Sequence, residues 1–253
     1  LYEAQGGSVV AYPLAADGLP AKTPDWRLNG GLRDAYAIGF DGAGDLYVSD
    51  FLLNQVRIYA WGASADDVPV RTIPLPGPGC TMAVNKTGYV FVTVSIGIGC
   101  GSTVYIYAPV TGPLPQAWVP QPIHTITNTK YAFFDDLVTD SQGRLYAAPA
   151  STDIYVYNDP VNEWQSPNED FVKKHDDGQD IYPPVAIGKD DGDLYMQFLP
   201  FRQRGWDGGD HARRSLSSKK RDILSYTREC NEGGERGIEN SLAVSQNYLM
   251  FTC

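Results

Sequence analysis

Chemistry in this 253-residue chain would have to be built from three histidines, four cysteines and a set of strand-end acids. His124 and His175 fall in or just after outer strands, and His211 falls in a long loop. They are not expected to converge, which argues against a histidine-based metal centre or a Ser-His-Asp triad. No G-x-S-x-G elbow, P-loop or strand-borne G-x-G-x-x-G occurs. Gly97–Gly101 is glycine-rich, but no helix follows it to complete a phosphate cradle. The acids are a better starting point. Asp50, Asp135, Asp136, Glu239 and Asn240 map to one end of the expected strands. Such oxygens suit a hard cation like Ca²⁺, which takes about six to eight of them. The competing reading is structural, because acids at strand ends more often cap backbone groups or face water. Tyr36 and Tyr182 share that end and could line a ligand surface.

One segment departs from the rest in charge. Residues 201–221 (FRQRGWDGGDHARRSLSSKKR) hold seven basic and two acidic side chains, a formal +5, leaving −15 for the remainder. Read as a loop insertion, it could be a contact arm with Trp206 as aromatic anchor and arginines meeting carboxylates. Read blandly, it is a solvated insertion. Trp61, Trp118 and Trp164 could likewise stack on a carbohydrate or protein, although tryptophans more often pack between elements.

Cys80, Cys100, Cys230 and Cys253 make no CxxC pair, which disfavours a zinc ribbon or thioredoxin-type centre. An even, widely spaced set suits two disulfides in a secreted, extracellular protein. Asn85-Lys86-Thr87 would be a glycosylation acceptor in a eukaryotic secretory pathway. No signal peptide is visible, so Leu1 is expected near a mature terminus. A net charge of −10 disfavours general nucleic-acid binding. The longest apolar run, Tyr89–Gly99, is too short for a membrane span.

The elements that would position these groups come from an internal repeat. An apolar strand, an Asp/Gly turn and a strand opening on Leu-Tyr or similar recur at Ala37–Asp50, Met82–Val94, Leu137–Pro149 and Ala186–Phe198. A degenerate copy closes the chain at Leu242–Cys253. Asp41, Asn85 and Asp140 can cap the turns, and Gly44, Gly88, Gly143 and Gly192 supply the positive φ. Each copy is followed by an alternating strand that ends at a tyrosine, at Tyr59, Tyr107, Tyr157 and Tyr226, with Tyr12 at the start. Weaker fourth strands follow at Val70–Pro74, Ile123–Thr127 and Phe171–Lys174.

A cycle of about 50 residues with four strands describes a single all-β domain over 1–253, a β-propeller of antiparallel blades. The N-terminal strands and the C-terminal hairpin would together complete one blade and close the ring. Five blades are preferred, with Leu1–Gln5 as a spare strand; a six-bladed ring is the alternative. On this map Cys80 and Cys100 share one face of one blade and pair sensibly, leaving Cys230 with Cys253. Cys230 maps to the face opposite Cys253, so the second pairing fits the map less well.

Asp41–Gly62 (DGAGDLYVSDFLLNQVRIYAWG) and Asp140–Asp159 (DSQGRLYAAPASTDIYVYND) resemble NHL-type repeats. The wider superfamily holds SMP-30-type lactonases, strictosidine synthase-like proteins, amidating lyases and many non-catalytic binding propellers. The resemblance implies six blades in most relatives and leaves function open. An SMP-30-type site would need a glutamate near the first blade, which Glu3 matches only loosely. It would also need asparagine ligands and a PDG-like turn, and neither has a counterpart here. The expected function is therefore a secreted, non-enzymatic module without cofactor, binding a protein, a carbohydrate or another copy through its funnel face. A metal-assisted hydrolase or lyase near Asp135, Asp136 or Glu239 is the alternative.

Overall fold

The structure, a computed structural model, describes residues 2–13, 21–95, 97, 99–110, 120–127, 134–149 and 155–165. It also gives the backbone of five later strands, and describes Asp135 by its backbone alone. The described residues form antiparallel strands and contain no helix.

Six sheets follow one another along the chain. The first is β1 (Tyr2–Gln5), β2 (Ser8–Ala11) and β3 (Trp26–Leu28). The second is β4 (Ala35–Phe40), β5 (Leu46–Asp50), β6 (Gln55–Tyr59) and β7 (Arg71–Pro74). The third is β8 (Gly79–Val84), β9 (Val90–Ser95), β10 (Cys100–Tyr107) and β11 (His124–Thr127). The fourth holds β12 (Phe134–Thr139), β13 (Leu145–Pro149) and β14 (Tyr155–Tyr157). The fifth holds β15 (Asp180–Ile187), β16 (Leu194–Leu199) and β17 (Arg213–Leu216), and the last is the hairpin β18 (Leu242–Ser245) and β19 (Tyr248–Phe251).

Tyr2–Gln5 pairs with β2 from Tyr2↔Ala11 to Gln5↔Ser8, and among the described residues the N-terminal strands and the C-terminal hairpin belong to different sheets. The basic segment is not loop throughout, because Arg213–Leu216 pairs with β16 as the third strand of its sheet. Arg-Arg-Ser-Leu lacks the apolar alternation that marked the other third strands, so composition hid it. The strand expected around Tyr226 and the fourth strand at Phe171–Lys174 lie outside the described residues.

The turn joining the first two strands of a repeat is built the same way three times. In each, a side-chain oxygen caps two backbone N–H groups, two and four residues on. Asp41 Oδ1 accepts from Ala43 N (2.9 Å) and Asp45 N (3.0 Å). Asn85 Oδ1 accepts from Thr87 N (3.1 Å) and Tyr89 N (3.0 Å), and Asp140 Oδ1 from Gln142 N (2.9 Å) and Arg144 N (3.0 Å). The turn glycines Gly44, Gly88 and Gly143 have φ of 89°, 87° and 85°, a region costly for any residue with a Cβ.

The sixth residue after the cap completes the motif. Tyr47 and Tyr146 donate their hydroxyls to Oδ2 of Asp41 (3.2 Å) and Asp140 (3.3 Å), and Asp140 Oδ2 also pairs with Arg144 Nε. Where the cap is Asn85, whose second polar atom is a donor, the corresponding residue is Phe91. Burial, reinforced by the Asp140 charge, pushes the Tyr146 phenol up to about 12; burial and Asp41 push Tyr47 up as well.

Among the described residues, apolar cores lie between the first four sheets. Val9, Leu28, Leu46, Val48 and Tyr59 join the first to the second. Tyr47, Val56, Ile73, Met82, Val90 and Val92 join the second to the third, and Phe91, Ile106, Phe134, Leu137 and Leu145 the third to the fourth. Burying such side chains contributes roughly 1.5–3 kcal/mol each relative to exposure. The tyrosines that end the third strands reach back to the preceding sheet. Tyr59 donates to Gly30 O (3.0 Å) and Tyr107, over a long 3.5 Å, to Pro74 O.

Candidate functional site

The opposite end of the strands carries the residues singled out as site candidates, and there four of the inner strands share one irregularity. Of the five pairs made by the first two strands of a repeat, four slip register at this end, whereas the hairpin of β18 and β19 stays in register from Leu242↔Phe251 to Ser245↔Tyr248. The slips fall between Ala35 and Ala37, Gly79 and Met82, Phe134 and Asp136, and Tyr182 and Val185. A bulge adds residues to one strand and re-aims what they carry. Tyr36 is the extra residue of the first slip, Cys80 or Thr81 of the second, Asp135 of the third, and Pro183 and Pro184 of the fourth. Apart from the proline pair, nothing in the sequence marks these bulges, because register depends on the partner strand.

Tyr36 is turned out of the sheet, 54% exposed, and stacks on Phe51 with ring centroids 5.7 Å apart and planes inclined by 28°. Leu52, next in the turn between β5 and β6, is 63% exposed. Together they make an apolar ledge. Asp50 holds it in place. Its side chain is fully buried, at 0% exposure, and accepts from Arg33 N (2.8 Å), Asp34 N (3.2 Å) and Leu53 N (3.1 Å). One carboxylate thereby ties the approach to β4 to the turn after β5. Three backbone donors already occupy its oxygens. Asn54, at φ 53°, completes the turn.

At the next junction Thr81 Oγ1 donates to Asp136 Oδ1 (3.3 Å) and accepts from Leu137 N (3.2 Å). Asp136 Oδ1 also accepts from Leu137 N at 2.8 Å. This threonine links the third sheet to the fourth at the level of the bulges. Beside it Cys80 and Cys100 form a disulfide with Cα atoms 5.5 Å apart, joining β8 to β10 across the end of β9. The pairing read from the sequence is present, although both cysteines lie within strands rather than flanking them.

Among the described residues no three His, Cys, Asp or Glu side chains come together as a metal site. Asp50 and Asp136 serve separate junctions. Tyr182 is placed by its backbone in β15, beside the fourth slip. Trp206, Glu239, Asn240, Cys230 and Cys253 lie outside the described residues, as does the side chain of Asp135. Asn85 is 8% exposed, and its Oδ1 also accepts from Thr87 Oγ1 (2.9 Å). A glycan on its amide would have to leave through a packed turn. Trp61 lies at the other end of the strands, against Gly44, and Trp164 stacks on His124 with centroids 3.4 Å apart. Neither belongs to the ledge. No helix of the described residues is long and apolar enough to cross a membrane.

No family model matches the sequence, and no curated protein matches it. Among solved structures the chain is similar to hydrazine synthase of Kuenenia stuttgartiensis, with 15% identity and a TM-score of 0.49. The likeness covers 80% of this chain and 49% of the other, so the chain spans about half the length of that structure.

Proposed function

We propose that the chain is a propeller-type binding or assembly module that meets a protein or carbohydrate surface with the bulged ends of its inner strands. The observation that carries this reading is the ledge: exposed Tyr36 stacked on Phe51, with Leu52 beside it, fixed from below by buried Asp50. A rigid aromatic on an ordered bulge gives contact area without losing much side-chain freedom on binding. The ring reading uses six blades, since the first and last copies each have a sheet. The Cys80–Cys100 disulfide favours an oxidising, extracellular setting.

A glycan array and sedimentation across a dilution series, run on the wild type and on Tyr36→Ala with Leu52→Ser, test this. The reading expects glycan binding or self-association in the wild type and at least about a tenfold loss in the double variant, as for a truncated interface anchor. Binding that survives the double substitution, or silence in both assays, would count against it. A stoichiometric divalent cation retained on purification would favour the metal-assisted enzyme instead.

A further inference from the structure

The only Asn-Gly pair in the sequence, Asn29–Gly30, sits where the first sheet hands over to the second. Asn29 is exposed and Gly30 buried. This dipeptide is the most susceptible to attack by its own backbone, because glycine puts no Cβ beside the nitrogen. Here that nitrogen is restrained. Asn29 N and Gly30 N both donate to Ala65 O, at 2.9 and 3.2 Å, and Leu32 N donates to Asn29 O at 2.7 Å. Gly30 O accepts from Tyr59 Oη (3.0 Å) and Arg57 Nη2 (3.1 Å), and Gly31 O from Arg57 Nη1 (3.1 Å). Gly30 and Gly31 have φ of 31° and 75°, so glycine is needed at both. At Gly30 a Cβ would also collide with Asp67 O.

The restraint comes from the 60–67 loop. Asp67 Oδ2 accepts from Ser64 N (2.6 Å), Asp67 N donates to Ser64 O (3.0 Å), and Trp26 Nε1 donates to Ala63 O (2.9 Å).

We propose that Asn29 is a latent deamidation site, held off in the folded chain by the grip of the 60–67 loop on the Gly30 amide. When the loop lets go, Gly30 N attacks Asn29 Cγ. The N–Cγ bond forms as the Cγ–Nδ2 bond breaks, and the Gly30 amide proton leaves with Nδ2 as ammonia. The succinimide then adds one water, giving aspartate or isoaspartate. Isoaspartate lengthens the backbone at the point where Arg57 and Tyr59 grasp it. The modification would therefore loosen the seam between the first two sheets and keep the loop from closing again.

Peptide mapping by mass spectrometry of the full chain, incubated at mildly alkaline pH with and without urea, tests this directly. Deamidation adds about 1 Da to the Asn29 peptide, whereas isomerisation at Asp-Gly pairs such as Asp41–Gly42 leaves mass unchanged. The folded chain is expected to react at least about tenfold more slowly than the unfolded one, as for chemistry gated by local opening. Asp67→Ala, which removes the cap on Ser64 N, should raise the folded rate several-fold without changing the unfolded rate. Asn29→Gln should suppress the mass gain in both states. Equal rates folded and unfolded, no reaction in urea, or an Asp67→Ala chain as slow as the wild type would each overturn the proposal.

Discussion

The two ends of the strands are built on opposite principles. At the turn end the same arrangement recurs at Asp41, Asn85 and Asp140, down to glycine φ angles of 85–89°. At the bulged end four of the inner strands slip register, yet the extra residues differ: Tyr36, Cys80 or Thr81, Asp135, and Pro183 with Pro184. Repetition marks what the fold needs in every sheet, whereas variation on a common scaffold marks where individual side chains can be spent on recognition. Asp50 is the exception: it sits at the variable end, but its buried carboxylate is committed to three backbone N–H groups.

The largest expected effect attacks the packed tyrosines. Burial raises Tyr107 and Tyr146 to about 12 from 10.0, with the charges of Tyr105 and Asp140, respectively, adding to it; Tyr47, Tyr59 and Tyr157 move the same way. A group that holds its proton more tightly when folded contributes fully below its unfolded pKa. That contribution is lost as pH rises above about 10 through the raised folded values. Urea unfolding should therefore show stability falling as pH rises above about 10. A stability unchanged between about pH 9 and about pH 11 would contradict the burial of these phenols.

Asp50→Ala comes next. It strands three backbone N–H groups in a dry site and should cost about 3 kcal/mol or more in urea unfolding. A cost below about 1 kcal/mol would mean that water replaces the carboxylate there. A smaller effect tests the pairing of cap and ring. Asn85→Asp and Phe91→Tyr should each destabilise by about 1 kcal/mol, since each buries a polar oxygen without its partner. Together they recreate the Asp41–Tyr47 arrangement, so a double-mutant cycle should show a favourable coupling of about 1 kcal/mol. Strict additivity would break the analogy between the turns.

The smallest effect is at Ser49, whose fully buried hydroxyl has no hydrogen-bond partner among the described residues and faces Gly79 of the next sheet. Ser49→Ala should fall within about 0.5 kcal/mol of the wild type or be slightly stabilising. A loss above about 1 kcal/mol would reveal a partner for that hydroxyl.

The turn end was legible in the sequence because its determinants are local. An Asx side chain two and four residues from its donors and a glycine at positive φ can be seen in any single copy. The alternating third strands that end at Tyr59, Tyr107 and Tyr157 were legible for the same reason. The bulges were not, because a slip in register exists only between two strands. For that reason Tyr36 stood among the candidates through its alignment, while the device that exposes it went unseen. For Asp50 the sequence leaves a cation ligand and a backbone cap both open, since it cannot tell that Arg33, Asp34 and Leu53 bring their amides to it. Arg213–Leu216 escaped as a strand because its charge spoke louder than its pairing.

The contrast between the two ends is tested most directly by urea unfolding of Asp140→Ala beside Tyr36→Ala. Asp140 loses two backbone donors, the Arg144 side chain and the Tyr146 hydroxyl, so its variant should lose about 2–3 kcal/mol. Tyr36, exposed on its bulge, should change stability by no more than about 0.5 kcal/mol. A Tyr36→Ala chain as destabilised as Asp140→Ala would contradict the division between a repeated, structural end and a variable one.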